Sequence, residues 1–77
     1  MEQKIREALA EINPGFMNYD GDNLCADLGI DSHDIFNVVM NLETAFDIEI
    51  EPVYMRMDNF MSIGKIEAMI QEIMQKA

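Results

Sequence analysis

The sequence predicts a small all-α domain, and three observations lead to this prediction. The chain has 77 residues and is 49% hydrophobic, which is too apolar for a disordered acidic segment. Apolar residues recur at helical spacing in three long segments, and the one alternating segment has no second strand to pair with. We therefore expect a single domain over residues 1–77, built as a small four-helix bundle. It has three longer helices, a short third helix and a long first connection.

The first helix is predicted before a helix-ending segment, Asn13–Gly15, because proline cannot continue a helix and glycine releases the backbone. Its apolar face comprises Ile5, Ala8, Leu9 and Ile12. The connection that follows, residues 13–31, carries too many apolar residues for a solvated loop. We expect it to cross the domain as a packed segment with a helical turn near Asn23–Asp27.

The next helix is predicted from about Ser32 to Phe46. Asp31 or Ser32 can cap it, because each offers an oxygen to the free amides of the first turn. Its predicted buried stripe is Ile35, Val38, Val39, Leu42, Ala45 and Phe46. Phe36 and Met40 form a second apolar line, which either widens the core contact or, as we expect, is exposed to a partner.

The remainder of the chain is predicted as a connector and two helices. Asp47–Pro52 alternates between polar and apolar residues and is interpreted as an extended connector, and a short helix is expected over residues 53–58. Ser62 is predicted to cap the last helix. The predicted buried face of that helix is Ile63, Ile66, Met69, Ile70, Ile73 and Met74.

The charge of the chain is strongly negative. Fifteen acidic residues face five basic ones, for a net charge of −10, and no lysine or arginine occurs between Arg6 and Arg56. Such a surface repels nucleic acid and anionic lipid and attracts proteins with basic patches. Because Cys25 is the only cysteine and no apolar run is long enough for a membrane span, we expect a cytoplasmic protein. We also expect it to be a monomer.

Few side chains suit catalysis or metal binding. The only histidine, His33, is adjacent to Ser32, and neighbouring helical side chains do not face each other as a nucleophile and its base must. Asp20 and Asp22 open like a calcium loop, but Cys25 stands where such a loop needs glycine. We therefore expect neither an enzyme nor a metal site, and Ser32 remains as a possible point of covalent attachment.

The residues around Ser32 resemble the attachment site of the acyl carrier protein family. Asp27–Ser32 reads Asp-Leu-Gly-Ile-Asp-Ser, which matches the family pattern Asp-Leu-Gly-x-Asp-Ser before the second helix. Leu42–Phe46 reads Leu-Glu-Thr-Ala-Phe, in register with the family's Leu-Glu-x-x-Phe, and Asp47–Ile50 continues as the alternating stretch. The resemblance covers about residues 5–74, and the spacing from Ser32 to Phe46 is its specific part.

This resemblance implies that Ser32 is esterified by 4′-phosphopantetheine from coenzyme A. The arm would carry acyl groups as thioesters in fatty-acid, polyketide or related biosynthesis. The implied partners are a phosphopantetheinyl transferase and acyl-transferring or acyl-activating enzymes with basic patches. Their expected contact residues surround Ser32 or follow it along the helix: Asp31, His33, Asp34, Phe36, Asn37, Met40 and Glu43.

Three of these residues differ from the family pattern. His33 stands where leucine is usual, Phe36 replaces a valine-like residue, and Asn37 replaces a common acid. We therefore expect a specialised carrier rather than the general carrier of fatty-acid synthesis. Two other interpretations remain open. One is an aminoacyl or peptidyl carrier, whose members more often read Gly-Gly-His-Ser at the modified residue. The other is an acidic helical interaction adaptor in which Ser32 is only a helix cap.

Overall fold

Residues 1–76 are described by a computed structural model, in which α-helices account for the regular structure together with short 3₁₀ segments. The helices are α1 (Glu2–Ala10), α2 (Leu24–Leu28), α3 (Ser32–Phe46) and α4 (Ile63–Lys76). The 3₁₀ segments are Pro14–Asn18, Pro52–Tyr54 and Met57–Phe60. Because these 76 residues contain no β-strand, the predicted all-α class is confirmed.

The core lies where α1 packs against α3 and α4. The connections contribute large side chains to it as well, which is why so short a chain can bury a continuous apolar cluster. The largest fully buried side chains are Phe16, Phe60, Ile5, Leu9, Leu24, Leu42, Ile66, Ile70 and Val38.

The prediction of one short helix over residues 53–58 is wrong. Two 3₁₀ segments flank Met55 and Arg56, and the amide of Arg56 donates to the carbonyl of Tyr54, 2.8 Å away, in an inverse γ-turn. The side-chain amide of Asn59 donates to the same carbonyl at 2.9 Å, so that this oxygen is unavailable to a helix. The short helix of this fold is instead α2, within the predicted turn region near Asn23–Asp27.

The apolar faces of the long helices are confirmed except near their ends. Ala45 and Phe46 are half-buried, and Met74 is 46% exposed although it was predicted to be buried. At 100° per residue, Met74 lies about 90° from the middle of the buried stripe of α4. A side chain at that angle stands on the flank of the stripe, which explains the error.

Arg6 holds the long crossing between α1 and α2 in place. Its guanidinium is nearly buried and donates to the carbonyls of Phe16, Met17 and Tyr19 at 3.1, 3.1 and 2.8 Å. It also donates to the carboxylates of Glu2 and Asp20. Burial disfavours its charge, but the two carboxylates outweigh burial and raise the pKa of Arg6 above its ordinary value. Three carbonyls and two acids thereby fix the path of the crossing.

Candidate functional site

The turn between α2 and α3 positions Ser32. Gly29 ends α2 in the left-handed conformation, at φ 68°, which glycine adopts without strain. The amide of Ile30 then donates to the carbonyl of Cys25 at 3.1 Å, and its side chain is buried in the core. Asp31 is extended, and Ser32 is the first residue of α3. The buried Ile30 thus anchors a turn whose other end carries an exposed serine.

A reciprocal pair of hydrogen bonds caps α3. The amide of Asp34 donates to the carboxylate of Asp31 at 2.9 Å, and the amide of Asp31 donates to the carboxylate of Asp34 at 3.3 Å. Asp31 is therefore the cap, and the interpretation of Ser32 as the helix cap is wrong. Ser32 is exposed, and its hydroxyl makes no hydrogen bond to another residue within 1–76.

The electrostatic environment of Ser32 is negative. The amide of Asp34 lowers the pKa of Asp31, and a smaller contribution comes from His33 nearby. Asp31 is ionised at neutral pH, as an aspartate of ordinary pKa also is. The two ion pairs found among residues 1–76 both belong to Arg6, so the carboxylates of Asp31 and Asp34 form no ion pair there.

Phe36 and Met40 extend from this site along the exposed side of α3. Phe36 is 57% exposed and Met40 is 51% exposed, which confirms the prediction that they face solvent. Their spacing of four and eight residues from Ser32 puts them one and two turns farther along the helix. His33 is also exposed and Asn37 is half-buried. We refer to Ser32, Phe36 and Met40 together as the α3 strip.

Glu43 is separate from this group. It lies about 16 Å from Ser32 along α3, at 1.5 Å per residue. Its carboxylate accepts a hydrogen bond from the amide of Ile50 at 2.8 Å and so fixes the connector after α3. In the structure Glu43 therefore makes an intramolecular contact. The contact with a partner that the sequence predicts for Glu43 stays a prediction.

Arg6 is the residue whose importance the sequence did not reveal. It follows Ile5 on α1 and would ordinarily be assigned to a solvated face. Its acceptors are mostly backbone carbonyls ten or more residues away, and any residue type supplies these. The spacing of Glu2 and Arg6, four residues apart, was the one local sign of an ion pair.

Comparison with known proteins gives no relative from which function can be transferred. No family model matches the chain, and no curated protein and no solved structure is detectably similar to it. Within residues 1–76, none of the helices has both the length and the apolar character that crossing a bilayer requires. The same residues contain no cluster of three histidine, cysteine or acidic side chains that could hold a metal ion.

Proposed function

We propose that this chain is an acyl carrier protein with the four-helix fold of that family, and that Ser32 carries a 4′-phosphopantetheine arm. The observation that carries the proposal is the unused hydroxyl of Ser32. It is exposed at the first residue of α3, while Asp31 and Asp34 perform the capping for which serine is often selected. The Asp-Leu-Gly-Ile-Asp-Ser motif that ends at this serine supports the same function.

The start of α3 suits a phosphodiester. The positive end of the helix dipole favours an anion at this position and offsets part of the repulsion from Asp31 and Asp34. In the attachment step, the oxygen of Ser32 forms a bond to the phosphorus of coenzyme A that carries the pantetheine, and its proton passes to the transferase. The bond from that phosphorus to the nucleotide portion breaks, and the nucleotide leaves. The arm brings its own thiol, so the protein supplies attachment and recognition and performs no catalysis itself.

Recognition is proposed to combine charge with the α3 strip. Asp31 and Asp34 form no ion pair among the described residues and would attract a basic patch on the transferase or on an acyl-transferring enzyme. Phe36 and Met40 add an adaptable apolar contact next to the arm. Aromatic and methionine side chains are enriched at protein interfaces, which fits a contact surface that includes Phe36 and Met40.

The direct test is modification in vitro. We expect incubation with coenzyme A and a broad-specificity phosphopantetheinyl transferase to raise the intact mass by one phosphopantetheine group. Ser32→Ala should abolish the increase, and Ser62→Ala, which changes the only other serine, should retain it. Modification that survives Ser32→Ala would refute attachment at Ser32. No modification by several transferases would refute the carrier function and favour an interaction adaptor.

The rate of modification tests the role of charge. Raising the salt concentration from 0.1 to 1 M shortens the Debye length from about 10 Å to about 3 Å, so association of an acidic carrier with a basic enzyme should slow markedly. Asp31→Asn preserves the cap but removes one charge, and it should reduce the salt dependence. A rate that does not change with salt would exclude electrostatic recognition at this site.

A further inference from the structure

A surface cavity lies beyond the C-terminal end of α3, the helix whose first residue is Ser32. It has a volume of about 350 Å³ and lies between the connector after α3 and the last turns of α4. The C-terminal end of α3 is about 21 Å from Ser32 at 1.5 Å per residue, so this cavity is separate from the proposed attachment site. Its apolar surface comes from Ile48, Val53, Tyr54 and Ile73.

Hydrogen bonds fix the walls of this cavity. The amide of Ile48 donates to the backbone carbonyl of Glu43 at 3.2 Å, and the amide of Ile50 donates to the Glu43 carboxylate at 2.8 Å. The amide of Tyr54 donates to the carbonyl of Glu51 at 2.9 Å. Because the connector is pinned at these points, the cavity is formed before any ligand enters.

The rim of the cavity carries an excess of negative charge. The alternation of the connector places Asp47, Glu49 and Glu51 at the cavity as exposed residues, while Ile50 is buried in the core. Among the described residues that line the cavity, Lys76 is the only basic one. Three carboxylates against one ammonium leave the rim complementary to a cation.

Lys76 shows that this rim accommodates an ammonium group. Its Nζ lies 5.7 Å from the centre of the Tyr54 ring and donates to the Tyr54 hydroxyl at 3.1 Å. That hydroxyl is the main cause of the raised pKa of Lys76, and the carboxylates of Glu72 and Glu51 also contribute. A second cation could use the acidic side of the rim, where Asp47 and Glu49 lie.

We propose that this cavity is a docking site for a basic segment of a partner protein, with one apolar side chain in the cavity and flanking lysines or arginines on Asp47, Glu49 and Glu51. The apolar floor and the acidic rim require both features in the same ligand. Docking here leaves Ser32 free at the other end of α3. The site would therefore hold the protein on a partner independently of any reaction at Ser32.

Three short peptides test the chemistry by NMR titration of the full chain. Acetyl-Lys-Leu-Lys-amide has both features, acetyl-Glu-Leu-Glu-amide reverses the charge, and acetyl-Lys-Gly-Lys-amide lacks the apolar anchor. We expect only the first to cause saturable shifts at Ile48, Val53 and Ile73. Stronger binding of the acidic peptide at these residues would overturn the proposal, and equal binding of the glycine peptide would exclude the apolar anchor.

Matched variants separate the cavity from the general negative charge of the chain. Glu49→Gln with Glu51→Gln should weaken binding of acetyl-Lys-Leu-Lys-amide roughly fivefold, because two carboxylates at the rim are lost. Asp22→Asn with Asp58→Asn removes the same charge at exposed positions outside the cavity and should change binding by less than about twofold. If both double variants weaken peptide binding equally, binding depends only on the net charge of the chain, which would overturn the proposal.

Two single variants give effects of opposite sign. Val53→Ser removes an apolar contact at a side chain that is 68% exposed, so it should weaken binding without changing the melting temperature. Lys76→Ala removes the cation from the rim and should strengthen binding of the basic peptide. Weaker binding by Lys76→Ala would mean that the cavity recognises an anion through Lys76, which contradicts the proposal. None of these measurements depends on the modification of Ser32.

Discussion

The starts of α3 and α4 each contain a serine, and the two serines are used differently. At α4, the hydroxyl of Ser62 accepts the amide of Lys65 at 3.1 Å, the nearby Phe60 is 1% exposed, and the amide of Leu24 donates to the carbonyl of Met61. At α3, Asp31 is the cap, and Ser32 and Phe36 are exposed. Serine therefore caps the helix at α4, whereas at α3 its hydroxyl is left exposed. The difference is that at α3 the carboxylate of Asp31 already accepts the amide of Asp34 in the first turn, whereas at α4 the serine itself accepts the amide of Lys65.

The largest expected difference between the two regions concerns their phenylalanines. Phe60→Ala should lower the free energy of unfolding by about 3–5 kcal/mol, because it leaves a cavity in the core. Phe36→Ala should change it by less than about 0.5 kcal/mol, because an exposed ring has little packing to lose. Urea denaturation of both variants measures this difference. A cost for Phe36→Ala similar to that for Phe60→Ala would show that the α3 strip belongs to the core.

Arg6 provides a second contrast, because it lines the same surface cavity as Ser62 but donates its backbone hydrogen bonds to the crossing between α1 and α2. Arg6→Met should lower the free energy of unfolding by about 3 kcal/mol, since the carbonyls of Phe16 and Tyr19 lose a buried donor. Lys65→Met is the matched control for the loss of one positive charge at an exposed position, and it should have little effect. Similar urea midpoints for the two variants would mean that Arg6 contributes only its charge.

Helix capping gives a smaller effect of known sign. Ser62→Ala should cost about 1 kcal/mol, because α4 loses its hydroxyl cap. Ser32→Ala should be neutral within about 0.5 kcal/mol, whereas Asp31→Ala should lower the urea midpoint. A destabilised Ser32→Ala variant would indicate that its hydroxyl takes part in the cap and would weaken the contrast between the two serines.

The pH dependence of the two caps should differ as well. The folded pKa of Asp31 is lowered, so its contribution to stability is complete above its unfolded pKa of about 3.9 and is lost as the pH falls through the folded pKa. The difference in urea midpoint between wild type and Asp31→Asn, in which asparagine can still cap, should therefore be constant at neutral pH and change below about pH 4. The difference between wild type and Ser62→Ala should not change over this range, because a serine hydroxyl does not titrate there.

Much of the fold could be predicted from the sequence because its signals are local. Three long helices follow from apolar residues at helical spacing, and the region of α2 follows from a turn signal between apolar residues. The segment over residues 53–58 could not be predicted, since the side chain of Asn59 competes for a backbone carbonyl. The predicted burial of Met74 is wrong because helical spacing shows which side of α4 faces the core but not how wide the buried face is.

The candidate site was also only partly predictable. The position of Ser32 before an amphipathic helix and the exposure of Phe36 and Met40 follow from spacing alone. The choice between Asp31 and Ser32 as the cap did not, because both residue types are good caps and the backbone angles decide between them. From the sequence, Glu43 is a free surface charge. In the structure its carboxylate accepts a hydrogen bond from the amide of Ile50 in the connector.

The sequence by itself determined the helical class, the acidic surface and the serine motif, because these depend on residue types and on periodicities of a few positions. The tertiary structure decided how Arg6 holds the crossing, which acid caps α3 and where the acidic cavity forms. Each of these depends on backbone groups or side chains that lie far apart in the chain. Backbone carbonyls and amides have the same chemistry at nearly every position, so only the folded path of the chain selects which of them meet a given side chain.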